Sequence, residues 1–273
     1  SDFTAVYFEC SKCSEFIVDG CDFINCKSKC YQKLPYNIIS CPLNVSQFEC
    51  SNTNFIFDEK STANPRAVKI ECPSFQFNNC SFIRCGSKYV DQGGALFYNG
   101  TSQYETVTLD VCYFDECDAT NSASFKFLFK SAVYPSFRNV TIKNACADYN
   151  IYISYKTMYR GSILFNGFKF INNENSLEGG GSGIWVSNYK NEFYSLSIYL
   201  IFTNCEFINN YTPQNGGAFG VGINEKIEPT QLSFSSCEFI GNHCNGTDGG
   251  GALWIRSSIS CTIYGCNFRD NYA

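Results

Sequence analysis

The stretch Leu232-Ser233-Phe234-Ser235-Ser236-Cys237-Glu238-Phe239-Ile240-Gly241-Asn242 decides the reading of this chain. Leu232 and Phe234 alternate with polar residues, as a half-buried strand requires. Cys237 and Phe239 alternate again, but one extra residue separates the two pairs. That extra residue breaks the period of two and marks a bend at which the inward face is re-aimed. A glycine cluster, Gly249-Gly250-Gly251, follows and runs into a second apolar stretch, Ala252-Leu253-Trp254-Ile255.

The same string, φ-x-φ-x-x-C-x-F-x-x-N with φ apolar, recurs along the chain. Cys21-Asp22-Phe23-Ile24-Asn25-Cys26, Cys80 to Cys85, Cys112 to Cys117, Cys205 to Asn210 and Cys266 to Asn271 repeat its second half. Looser copies are Leu43-x-Val45-x-x-Phe48-x-Cys50, Pro135-x-Phe137-x-x-Val140-x-Ile142 and Ile163-x-Phe165-x-x-Phe168-x-Phe170. The markers fall at 21, 48, 80, 112, 140, 168, 205, 237 and 266, at intervals of 27–37 residues. Self-similarity at that period is the signature of a solenoid. Short strands, sharp Gly/Asn corners and no helical periodicity predict an all-β fold: a single right-handed parallel β-helix of about nine coils, cysteine-rich, spanning 1–273 as one domain.

In such a stack each template slot becomes a column. The Phe column reads Phe23, Cys50, Phe82, Phe114, Ile142, Phe170, Phe207, Phe239, Phe268. The column three residues before the marker reads Val18, Val45, Phe77, Leu109, Phe137, Phe165, Phe202, Phe234, Ile263. Burial of about 150–250 Å² per aromatic ring makes these columns the expected main stabiliser. Asn173, Asn210, Asn242 and Asn271 are expected to form an amide ladder at a corner.

Composition agrees. Apolar residues make up 44% and charged residues 16% of the 273 residues, which excludes a disordered chain. The net charge of -5 and the absence of a basic stripe argue against nucleic acid as a partner. No apolar run approaches the roughly 20 residues of a membrane helix. The last copy starts at Cys266, so its glycine corner would fall past Ala273, and further coils or another domain are expected to follow.

Phe207-Ile208-Asn209-Asn210 with Gly216-Gly217-Ala218-Phe219, and Phe239 to Asn242 with Gly250-Gly251-Ala252-Leu253, resemble the FxxN and GGA(I/L/V) motifs of polymorphic outer-membrane-protein repeats. Those repeats build β-helical passenger domains of secreted chlamydial surface proteins, and similar ones occur in some eukaryotic parasites. The likeness is good over about 160–273 and at 80–97. It departs from the pattern where Gly180-Gly181-Ser182-Gly183-Ile184 replaces GGA, and where Cys26, Cys85 and Cys117 occupy the Asn slot. The resemblance implies a non-catalytic adhesin or antigen, extracellular or at the cell surface, without a cofactor. Its partners would be a host or matrix glycan or protein, or other copies of the same assembly.

Eighteen cysteines suit a secreted, cross-linked chain, or alternatively a set of small reduced core residues. Stacking would place Cys80 beside Cys112 and Cys85 beside Cys117, within disulfide reach. Cysteines off the template, Cys10 and Cys13 among them, are further disulfide candidates. Cys10-x-x-Cys13 has no second pair at zinc-ribbon spacing, so no metal site is expected. Sequons occur at Asn44, Asn79, Asn99, Asn139, Asn210 and Asn245, about as many as chance supplies. Asn99 and Asn245 read as loop acceptors, with Asn44 and Asn139 behind them. Asn79 and Asn210 read as packed and poor.

The residue after each marker should point outward, which stacks Lys169, Glu206 and Glu238. Two carboxylates about 5 Å apart suit a retaining glycosidase or a cation site. The plainer expectation is a solvated charge ladder, and neither a pectinase-like set nor a partner for the lone His243 is present. Tyrosines at 149, 152, 155 and 159, and Tyr189 and Tyr194 in the longest interval, mark the expected binding surface for sugars or protein.

Overall fold

A computed structural model describes residues 6–7, 13–26, 37–42, 45–60, 64–87, 90, 93–100, 106–119, 122–130, 134–147, 149–155, 160–175, 184–188, 197–221, 229–247, 249–255 and 260–273. Among these residues every regular element is a strand. All paired strands are parallel, and each lies beside its counterpart one repeat away.

The segment before the marker builds sheet 1, nine strands from Cys13–Asp19 to Ser260–Tyr264. The segment after it builds sheet 2, nine three-residue strands from Asp22–Ile24 to Asn267–Arg269. Sheet 3 has six two-residue strands from Gly86–Ser87 to His243–Cys244. Sheet 4 has seven strands from Val6–Tyr7 to Ile184–Asn188, and the pair Phe219–Val221 and Leu253–Ile255 forms a separate two-stranded sheet. The fold is a parallel β-solenoid in which about six successive turns carry the ladders of sheets 1, 2 and 3 together.

The bend in the template has a local cause. The residue before the marker sits in the left-handed region at Asn52, Asn79, Val111, Asn139, Asn204 and Ser236, with φ between 49° and 53°. A second left-handed corner lies four residues after the marker, at Asn25, Arg84, Glu116, Asn144, Asn172, Asn209 and Asp270. Asn tolerates this conformation better than other non-glycine residues, which explains its abundance at these two columns. At the GGA corner the constraint is space instead. A Cβ on Gly217 would lie 2.1 Å from the Gly251 carbonyl oxygen, and one on Gly251 would lie 2.3 Å from that of Tyr272. Only glycine lets successive coils approach this closely.

The interior is a set of stacked rings. Phe23, Phe55, Phe82 and Phe114 lie over one another at 4.7–5.0 Å with planes within 8°. Ile142 interrupts the column, which resumes as Phe170, Phe207, Phe239 and Phe268. The neighbouring column stacks Phe137, Phe165, Phe202 and Phe234 at 4.6–4.9 Å.

One expectation is corrected. The second copy is centred on Thr53, not on position 48. Phe55 pairs with Phe23 and Phe82 in the Phe column, while Cys50 pairs with Val18 and Phe77 in the column before it. Val45 and Phe48 lie earlier on the same strand, Val45–Ser51, with Phe48 beside Phe16 and Phe75. Val45-x-x-Phe48-x-Cys50 reproduces the template's own break in alternation five residues early, and a threonine in the marker slot hides the true register. Thr53 Oγ1 accepts a hydrogen bond from the Cys21 backbone N–H at 3.4 Å, so it takes up the slot with different chemistry.

Candidate functional surfaces

The expected amide ladder is present. Asn210 Nδ2 donates to the Phe170 carbonyl at 2.8 Å and to Asn242 Oδ1 at 2.9 Å, and its own Oδ1 accepts from the Asn173 backbone at 3.0 Å and side chain at 3.2 Å. Asn242 and Asn271 repeat the pattern. Buried amides with every group satisfied fix the register of neighbouring coils.

The cysteine columns are equally regular. Cys80 and Cys112 follow one another in the marker column, and Cys50, which belongs to the column before it, reaches across so that its sulfur lies 3.7 Å from that of Cys80; all three are buried. Cys85 and Cys117 occupy the Asn slot on neighbouring coils, and their thiols donate to the Phe55 and Phe82 carbonyls at 3.5 and 3.4 Å. The expected juxtapositions of Cys80 with Cys112 and of Cys85 with Cys117 therefore occur, and all four are thiols in this structure. Hydrogen bonding from Cys112 and Cys50 lowers the Cys80 pKa, while Cys80 and burial hold Cys50 above the usual thiol value. Burial, and then the Cys117 thiol, push Cys85 well up, and burial does the same to Cys112. Cys10 lies outside the described residues, as does the side chain of Cys13, whose backbone opens the first strand of sheet 1.

The sequons divide differently from expectation. Asn79 is exposed rather than packed, because the residue before the marker is a left-handed corner whose side chain leaves the core; it donates to Asn52 Oδ1 at 2.9 Å. Asn139 is an exposed corner of the same column. Asn210 is fully buried, as expected. Asn99 ends a strand of sheet 4 rather than standing in a loop, and Asn245 is exposed beside Tyr211, to whose hydroxyl it donates at 3.1 Å. Asn44 lies outside the described residues.

Lys169, Glu206 and Glu238 stack outward in successive strands of sheet 2. Lys169 Nζ is 2.8 Å from Glu206 Oε1, so the first carboxylate of the pair is neutralised by a cation rather than set against the second. His243 lies between the rings of Tyr211 and Tyr272, at 4.6 and 4.8 Å. Of the tyrosine cluster, Tyr149 and Tyr152 are half-buried with rings 6.0 Å apart, and the Lys126 ammonium sits 4.4 Å over Tyr152. Tyr155 ends the same strand; Tyr159, Tyr189 and Tyr194 lie outside the described residues.

Sequence reasoning missed the other outward column of sheet 2, three residues after the marker. Register places Ile24, Ile56, Ile83, Asp115, Lys143, Ile171, Ile208, Ile240 and Arg269 in one file on the surface. Ile24 at one end is 54% exposed and Arg269 at the other is exposed too, while the residues between them are partly shielded by their neighbours in the file. Extending the template one column further than the core would have found it.

Compared with known proteins, the chain matches no family model, no curated protein and no solved structure.

Proposed function

We propose that the chain is a non-catalytic extracellular surface or structural protein, a right-handed β-helix of nine coils that presents an adhesive or protective face. The two nine-stranded sheets support the coil count, and the strong right-handed preference of parallel crossovers supports the hand. The observation that carries the functional reading is the fate of the FxxN and GGA residues. Asn210 and Asn242 form the corner ladder and Gly217 and Gly251 the close coil contacts, so the motifs shared with polymorphic outer-membrane-protein repeats act here as scaffold. What such a scaffold offers a partner is its outer surface, a long, regular array of side chains. The Lys169–Glu206 ion pair favours a charge ladder over a hydrolytic pair at the best acidic candidate.

Binding of the 273-residue chain to a glycan array and to cell-matrix proteins tests this reading, with each retained glycan analysed for cleavage. Retention without turnover is expected. Turnover that disappears in Glu206→Gln and Glu238→Gln would replace the scaffold reading with a carbohydrate-active enzyme.

A further inference from the structure

The surface file of sheet 2 has an internal symmetry that its role as a scaffold does not require. Three isoleucines (Ile24, Ile56, Ile83) precede an acid and a base, and three isoleucines (Ile171, Ile208, Ile240) follow. Asp115 and Lys143 are paired at 3.2 Å across the midpoint. The file therefore has a pseudo-two-fold centre between Asp115 and Lys143 that exchanges acid for base and isoleucine for isoleucine.

We propose that this face is a self-association surface, and that its partner is a second copy of the chain packed face to face and antiparallel. A two-fold axis in the interface, along the strand direction, brings Asp115 opposite Lys143 of the other copy, and the reverse. It also sets Ile83 against Ile171, Ile56 against Ile208, and Ile24 against Ile240. The result is an isologous contact with an alternating four-charge centre flanked by two apolar patches.

Other arrangements fit less well. A two-fold axis along the solenoid would lay the isoleucine file against the polar file of Asp22, Asn54, Ser81, Tyr113, Thr141, Lys169, Glu206 and Glu238. A shift by one coil would set Asp115 or Lys143 against isoleucine and leave a charge desolvated without a partner. In the proposed register the polar file meets itself with one like-charged rung, Asp22 opposite Glu238, at the outer rim. Eight strands about 4.8 Å apart and about 10 Å long make a face of roughly 400 Å², against about 800 Å² per partner in a standard stable complex. The dimer is accordingly weak and concentration-dependent, and it closes at two copies.

Sedimentation equilibrium of the 273-residue chain in reducing buffer, from micromolar to millimolar, tests this. A monomer–dimer equilibrium without larger species is expected. Lys143→Glu and Asp115→Lys should each weaken self-association at least tenfold, and an equimolar mixture of the two should recover a 1:1 dimer. Should Asp115→Lys disturb folding, Ile56→Glu and Ile208→Lys repeat the experiment on a second facing pair, with Ser233→Lys on sheet 1 as a control that leaves association unchanged. A chain that stays monomeric throughout, or variants that associate like the parent, would overturn the proposal. Neither result bears on glycan or matrix binding, which is measured separately.

Discussion

The two ends of the corner column solve one problem with different chemistry. In the coils of Asn173, Asn210, Asn242 and Asn271 an amide donates to a carbonyl of the coil before and also accepts from it. In the coils of Cys85 and Cys117 a thiol occupies the same slot and makes the same donation, to Phe55 and Phe82, at longer distance. Ala145 stands between the two regimes, its backbone N–H bonded to Asn173 Oδ1 at 3.0 Å. The slot takes a small side chain, as Ala145 shows, and both cysteine and asparagine add to that a donor aimed at one carbonyl. They differ in strength and in sensitivity. The amide locks register through several good hydrogen bonds, whereas the thiol is a weak donor that fills volume and stays neutral only below its pKa.

The largest expected effect breaks the amide side. Asn210→Ala should cost about 3 kcal/mol, because it strands a buried carbonyl and a buried N–H together. Cys117→Ala, which forfeits one weak donor and little volume, should cost about 1 kcal/mol. Urea denaturation of both variants measures the contrast, and equal costs would show that the slot is governed by volume alone. A smaller effect concerns pH. Burial raises the folded pKa of Cys85 above the thiol value of 9.0, so its contribution to stability is complete below pH 9 and is lost as pH rises beyond it. At pH 10 the loss is about 1.4 kcal/mol for one thiol that titrates only when unfolded. Cys85→Asn should remove that part of the alkaline decline, which denaturant midpoints at pH 8, 9 and 10 will show. The smallest effect refines the corner columns. Val111 is a β-branched residue at φ 51° and 48% exposed, where other coils use Asn, Gly or Ser. Val111→Asn should raise stability by about 0.5–1 kcal/mol by relieving that conformation, with thermal unfolding as the readout.

Much of the architecture was legible because the interior repeats. Phe82, Phe114, Phe207 and Phe239 announce their column by type, and Asn173 to Asn271 announce the ladder by position. The copy at Thr53 is hidden because Val45-x-x-Phe48-x-Cys50 mimics the template's broken alternation five residues early, and no Cys or Asn marks the true slot. Asn79 reads as packed in the sequence because its string adjoins the core, whereas the left-handed corner turns its side chain outward. The outward files were the least legible. Residues such as Ile171, Ile208 and Ile240 answer to no interior neighbour, so their order emerges only when register is known.

The claim on which all of this rests is that homologous positions of successive repeats lie over one another. Gln76 and Ser233 face outward in the same file of sheet 1, five strands apart. Spin labels carried by unnatural amino acids at these two positions, with distances read by pulsed electron resonance on the dilute monomer, measure that separation directly. A narrow distribution centred near about 24 Å, five strand spacings, is predicted. A broad distribution, or a maximum beyond about 40 Å, would contradict the stack.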